Sequence, residues 1–131
     1  MNDPEVVLDA SAVLAVLLQE PGQDKVSAPL ERGGACVCSV NLAEVIAKLT
    51  DHGMAPELAA QAAAALEMNI IPFDESLARV SGALRPLTRD EGLSLGDRCC
   101  LAVARQFKIP ALTADKAWAN LRIGVKIKLI R

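Results

Sequence analysis

Aromatic residues are nearly missing: two phenylalanines, one tryptophan and no tyrosine in 131 residues. That scarcity excludes an RNA-binding platform on which bases stack over exposed rings. Histidine is scarcer still, with His52 alone, and the cysteines do not make up a zinc site with it. They fall as Cys36-x-Cys38 and as the adjacent pair Cys99-Cys100, neither of which has the wider separation of structural zinc hooks. Their apolar neighbours (Ala35 and Val37, Leu101 and Ala102) mark them as reduced core residues. His52, between Asp51 and Gly53, reads as a helix C-cap. Long apolar runs are missing too. The longest, Ala12 to Leu18, is far short of the ~20 residues that span a bilayer. The segment Met1-Asn2-Asp3-Pro4-Glu5 lacks the basic region of a secretory signal. The expectation is a soluble, cytoplasmic protein with no membrane partner.

What is present is apolar bulk. Hydrophobic residues make up 52% of the chain, which excludes general disorder. The length suits one domain over residues 1–131. So much apolar surface implies a sheet buried on both faces or a face hidden by a partner. The net charge of −2 conceals an asymmetry: residues 1–78 hold 12 acids and 3 bases, residues 79–131 hold 4 acids and 11 bases. A basic second half is what a phosphate backbone would meet, although a merely solvated basic face fits the same counts.

Short apolar runs at Glu5–Leu8, Ala35–Cys38, Asn69–Phe73, Ile109–Thr113 and Val125–Ile130 read as strands. Helices are expected between them: Ala12–Gln19 capped by Ser11, Asp24–Arg32, one capped by Ser39 or Asn41 and ending near Gly53, Pro56–Glu67, Glu75–Leu87, one from Ser94 to about Lys108, and a short one at Trp118. Strands that are apolar throughout, alternating with helices, give an α/β fold: a three-layer α/β/α sandwich on a parallel, five-stranded sheet.

Ligands of such sheets bind beyond the carboxyl ends of the strands. Asp9 directly follows the first strand and Asp115 the fourth. Asp97 lies in the first turn of the Ser94 helix, on the side of Cys100, Leu101 and Ala104, while Arg98 and Arg105 share the polar side. A carboxylate on an apolar stripe needs a partner or a metal, or serves as an N-terminal acid favoured by the helix dipole. Asp9 and Asp115 equally suit capping roles. Glu44 lies opposite the Leu42/Val45/Ile46/Leu49 stripe, where an exposed pair with Lys48 would satisfy it. If the acids converge, their oxygens suit Mg²⁺ or Mn²⁺. Such an ion would activate water and stabilise phosphodiester hydrolysis without a histidine or serine nucleophile.

Four segments carry a resemblance. Val7-Leu8-Asp9-Ala10-Ser11-Ala12, Ser39-Val40-Asn41-Leu42-Ala43-Glu44-Val45, Leu93-Ser94-Leu95-Gly96-Asp97-Arg98-Cys99-Cys100-Leu101-Ala102 and Leu112-Thr113-Ala114-Asp115-Lys116-Ala117-Trp118 resemble, in order, the signature segments of PIN-domain proteins. The likeness is nearest to VapC-type toxins of bacterial toxin–antitoxin modules and spans nearly the whole chain. It implies an Mg²⁺- or Mn²⁺-dependent endoribonuclease that cleaves tRNA or rRNA and halts translation. By motif, Asp9 and Asp97 are implied as principal metal ligands, Asp115 as a third acid of the site and Glu44 as a fourth. Ser11 and Thr113 are implied to orient the carboxylates. A homodimer and a cognate VapB-like antitoxin are implied as well, with operator DNA met only through the antitoxin. Two other classes compete. One is a flavodoxin-like phosphotransfer domain, to which Asp74, Thr113 and Lys116 are superficially suited, but Asp9-Ala10-Ser11 lacks its paired acids. The other is a non-catalytic RNA-binding module, against which the complete acid set argues.

Overall fold

The computed structural model describes residues 3–131, so Met1 and Asn2 of the acidic N-terminal segment lie outside the described residues. Five strands, β1 (Val6–Leu8), β2 (Ala35–Cys38), β3 (Asn69–Ile71), β4 (Ala111–Thr113) and β5 (Ile127–Leu129), form one sheet in the order β3-β2-β1-β4-β5. Every neighbouring pair is parallel. The helices are α1 (Ala10–Leu17), α2 (Gln23–Glu31), α3 (Ser39–Asp51), α4 (Pro56–Ala64), α5 (Glu75–Ala83), α6 (Arg85–Thr88) and α7 (Leu95–Phe107), with short 3-10 turns at Arg89–Glu91 and Lys116–Asn120. This is the expected α/β/α sandwich.

Side-chain alternation along the strands builds two cores. Val7, Cys36 and Cys38 face α5 and α7, whereas Val6, Leu8, Ala35 and Val37 face α1 to α4. In the inner strands β1, β2 and β4 both sides are thus buried, which is why these carry no polar alternation. The edge strands β3 and β5 expose their middle residues, Ile70 and Lys128. Among the described residues no helix is long and apolar enough to cross a membrane.

Local chemistry moves some boundaries. α1 begins at Ala10 because Asp9, not Ser11, caps it through the Ala12 N–H. The helix expected over Glu75–Leu87 breaks into α5 and α6, since Pro86 has no N–H to continue the ladder. β5 is shorter than expected, at three residues. His52 is the C-cap residue of α3.

All four cysteines are free and buried. Burial, and then the neighbouring Cys38, pushes the Cys36 thiol up to about 12 and the Cys99 thiol up to about 11. The thiolate is the reactive form. The folded protein at mildly alkaline pH is therefore expected to take up no iodoacetamide, and the denatured chain four equivalents. Mass spectrometry before and after denaturation checks this, and rapid labelling of the folded form would mean that the core opens.

Candidate active site

The carboxyl ends of β1 and β4 meet where strand order reverses, since β1 lies between β2 and β4. Open parallel sheets place ligands at such a point. Asp9 leaves β1 here and is 5% exposed. Its Oδ1 accepts from the Ser11 hydroxyl at 2.7 Å and from the Ala12 N–H at 2.8 Å, and its Oδ2 accepts from the Thr113 hydroxyl at 2.5 Å. Those hydroxyl oxygens are held by the chain leaving β4. The Ala114 N–H donates to Ser11 Oγ at 2.9 Å, and the Asp115 N–H to Thr113 Oγ1 at 3.0 Å. One network thus ties the Asp9 carboxylate to the loop that carries Asp115. Burial dominates its electrostatics and raises the Asp9 carboxyl above its ordinary value; the three hydrogen bonds oppose that rise, and the negative charge of Asp97 adds to it.

Asp97 is at the third position of α7, in a reciprocal capping box. The Ser94 hydroxyl accepts from the Asp97 N–H at 3.1 Å, and Asp97 Oδ2 accepts from the Ser94 N–H at 3.0 Å. Its Oδ1 makes no hydrogen bond among the described residues. Of the two arginines expected on the polar side of α7, Arg105 is exposed and Arg98 is not. It is half-buried, and its guanidinium donates to the Ser81 carbonyl of α5 at 3.3 Å.

Glu44 is exposed on α3, yet its carboxylate reaches α7. Asn41 Nδ2 donates to Glu44 Oε1 at 2.8 Å, and a Cβ added to Gly96 would lie 2.6 Å from the carboxylate carbon. No ion pair joins Glu44 to Lys48 among the described residues. Asp115, also exposed, caps the Lys116–Asn120 turn by accepting from the Ala117 N–H at 3.0 Å. Asn41, expected with Ser39 only as a candidate cap, caps nothing, since α3 starts at Ser39 after Cys38 with no side-chain cap. Its contact with Glu44, like the part of Gly96, is what the sequence does not give. The signal available was Gly96 itself. A glycine inside a helix costs about 1 kcal/mol relative to alanine, so its presence suggests a close approach.

Three of the four acids therefore perform the capping roles that competed with a metal site. Among the described residues no ion pair involves any of the four, and no three potential ligand side chains close into a cage. Each carboxylate is turned toward hydrogen-bond donors of the chain instead. The donor chemistry still fits a hard divalent cation. All four groups offer oxygen only, and Mg²⁺ is commonly held by one or two carboxylates while keeping several waters. The best-fitting feature is Asp9, a buried carboxylate within the field of Asp97 and without a cation partner.

In fold, the chain is similar to a chain of the DNA-bound VapBC complex of Salmonella typhimurium, with TM-score 0.78 and 16% identity over 98% of this chain and 99% of that one. It is similar also to VapBC2 of Rickettsia felis bound to a promoter DNA fragment (TM-score 0.76, 13% identity, 95% of this chain and 97% of that one). For VapBC-5 of Mycobacterium tuberculosis the values are 0.58, 24%, 98% and 99%. Comparison with curated protein sequences finds no significant match. At these identities the structures bear on fold alone. The sequence, however, matches the PIN domain over residues 6–124, a stretch that contains Asp9, Glu44, Asp97 and Asp115, and the chain belongs to the PIN domain family.

Proposed function

We propose that this protein is a metal-dependent endoribonuclease, the toxin of a toxin–antitoxin pair, which cleaves tRNA or rRNA in the cytoplasm and so inhibits translation. The observation that carries the reading is Asp9: a carboxylate buried at the sheet's switch point, oriented by two hydroxyls and facing the charge of Asp97 without a cation partner. A buried charge is stable only when paired, and Mg²⁺ or Mn²⁺ is the partner of suitable chemistry. Asp9 and Asp97 are the principal ligands, Asp115 the third, and Glu44 the fourth acid of the site. Ser11 and Thr113 hold the Asp9 carboxylate in one orientation. When bound, such a cation lowers the pKa of a water and neutralises charge that builds on the phosphate. The basic second half of the chain supplies attraction for the RNA backbone. Fold likeness to chains of VapBC complexes supports a VapB-like antitoxin as partner; a homodimer, and contact with operator DNA only through that antitoxin, are part of the same proposal.

The test is cleavage of total RNA by the purified protein with Mg²⁺ or Mn²⁺ and with EDTA. Cleavage that EDTA abolishes and either cation restores is expected. Cleavage that persists in EDTA would overturn the metal dependence, and intact RNA under every condition would overturn the ribonuclease. Induced expression is expected to arrest growth, and co-expression of the antitoxin to relieve it.

A further inference from the structure

Asn41 is 1% exposed, and its amide nitrogen uses both hydrogens across a junction between two helices. Nδ2 donates to Glu44 Oε1 at 2.8 Å, one turn further along α3, and to the Gly96 carbonyl of α7 at 3.0 Å. The orientation of the amide follows from chemistry. Turning it over would set its oxygen against a carboxylate and a carbonyl, both acceptors. Its Oδ1 is buried with no partner among the described residues.

Those facts separate two roles for this side chain. As a purely structural staple Asn41 would be poorly suited, because a buried acceptor without a partner is destabilising. The Gly96 carbonyl already has a helical N–H partner within α7, and an exposed glutamate is fully satisfied by water. What the asparagine adds is a place for Glu44. Asn41 pulls the carboxylate down onto the first turn of α7, where Gly96 leaves room for it and Asp97 is the next residue. We infer that Asn41 is a positioning residue for Glu44, holding its carboxylate against α7 beside Asp97, with Gly96 as the seat. The inference rests on the ribonuclease reading above, since it concerns an acid of that site.

Leucine at position 41 is close to asparagine in shape and removes both the donors and the orphaned acceptor. Asn41→Leu is expected to melt in EDTA within a few degrees of the wild type while kcat for RNA cleavage falls about tenfold, in the range of losses caused by removing a supporting partner. KM should change little. Glu44→Gln should lower kcat at least as much, and the Asn41→Leu/Glu44→Gln double variant should be no worse than Glu44→Gln alone, because the two residues act as one unit. Gly96→Ala, which displaces the Glu44 carboxylate without altering Asn41, should show the same kcat loss. Asn41→Ser, too short to span both acceptors and unable to overpack the site, is the second variant, with the same expectation. Losses that add in the double variant would overturn the inference, as would Asn41 variants that melt earlier but retain the specific activity of the folded protein. If Glu44→Gln cleaves like the wild type while Asp97→Asn does not, the positioning role falls and the ribonuclease reading stands. If Asp97→Asn also cleaves normally, it is that reading that fails.

Discussion

Asp97→Asn is expected to lose RNA cleavage by more than about a hundredfold while melting in EDTA within a few degrees of the wild type. The two halves of this expectation come from the two oxygens of one carboxylate. Oδ2 closes the capping box by accepting from the Ser94 N–H, and an asparagine oxygen can accept the same bond. What the amide loses for stability is the attraction of a charge to the positive end of α7, worth about 0.3–1 kcal/mol at a helix N-terminus. What it loses for chemistry is larger. Removing a group that merely orients a metal ligand costs about 10–100-fold, so neutralising Asp97, a ligand in the proposed site, should exceed that. Single-turnover cleavage and thermal melts of the same preparation separate the two effects. Near-normal cleavage by a well-folded Asp97→Asn protein would leave Asp97 as a helix cap and nothing more.

How far the chain discloses itself depends on the distance over which each feature is decided. The three inner strands β2, β1 and β4 are legible because each is buried on both faces, so a short apolar run such as Ala35–Cys38 carries its own signal. Asp9 and Asp115 follow from the strands, being the acids just beyond them. Asp97 stands out by its helical face, and the structure gives a second local reason for an acid there, since Ser94 and Asp97 form a capping box. Glu44 is the opposite case. On its own helix it is an exposed residue four before a lysine, and periodicity has no means of distinguishing it from any solvated glutamate. Its location is decided by contact with Gly96, which Asn41 also bonds across 55 residues of sequence. The hydroxyl network around Asp9 is likewise long-range, with Thr113 donating across 104 residues. The motif resemblance named Ser11 and Thr113, but only the folded chain shows the hydroxyls shared between one carboxylate and the next loop. The split of α5 from α6 was legible in principle, because Pro86 announces it.

Asp9→Asn should abolish cleavage and yet melt several degrees higher than the wild type in EDTA. The native carboxylate is buried, and burial together with Asp97 raises its carboxyl above its ordinary value. A carboxyl whose folded value is raised contributes its full stability below the unfolded value and loses it as pH rises through the folded value. At neutral pH, without a cation, the charged Asp9 therefore destabilises the fold. Asparagine removes the charge and keeps the bonds. Its oxygen accepts from the Ser11 hydroxyl and the Ala12 N–H, and its amide donates to Thr113 Oγ1. The advantage of the variant should be largest at neutral pH and shrink as pH falls into the ordinary carboxylate range, where the raised native carboxyl is protonated. Saturating Mg²⁺ should reverse the order. A cation that binds only the folded wild type stabilises it by about 2.7 kcal/mol at a hundredfold excess over Kd, whereas the variant lacks the carboxylate proposed as a principal ligand. Melting curves with and without Mg²⁺, at neutral and mildly acid pH, test all of this at once. If Asp9→Asn melts below the wild type in EDTA at every pH, Asp9 serves chiefly as the cap of α1. A higher melting temperature in EDTA that Mg²⁺ inverts would mean that the fold tolerates an uncompensated charge at this place because a cation is to be held there.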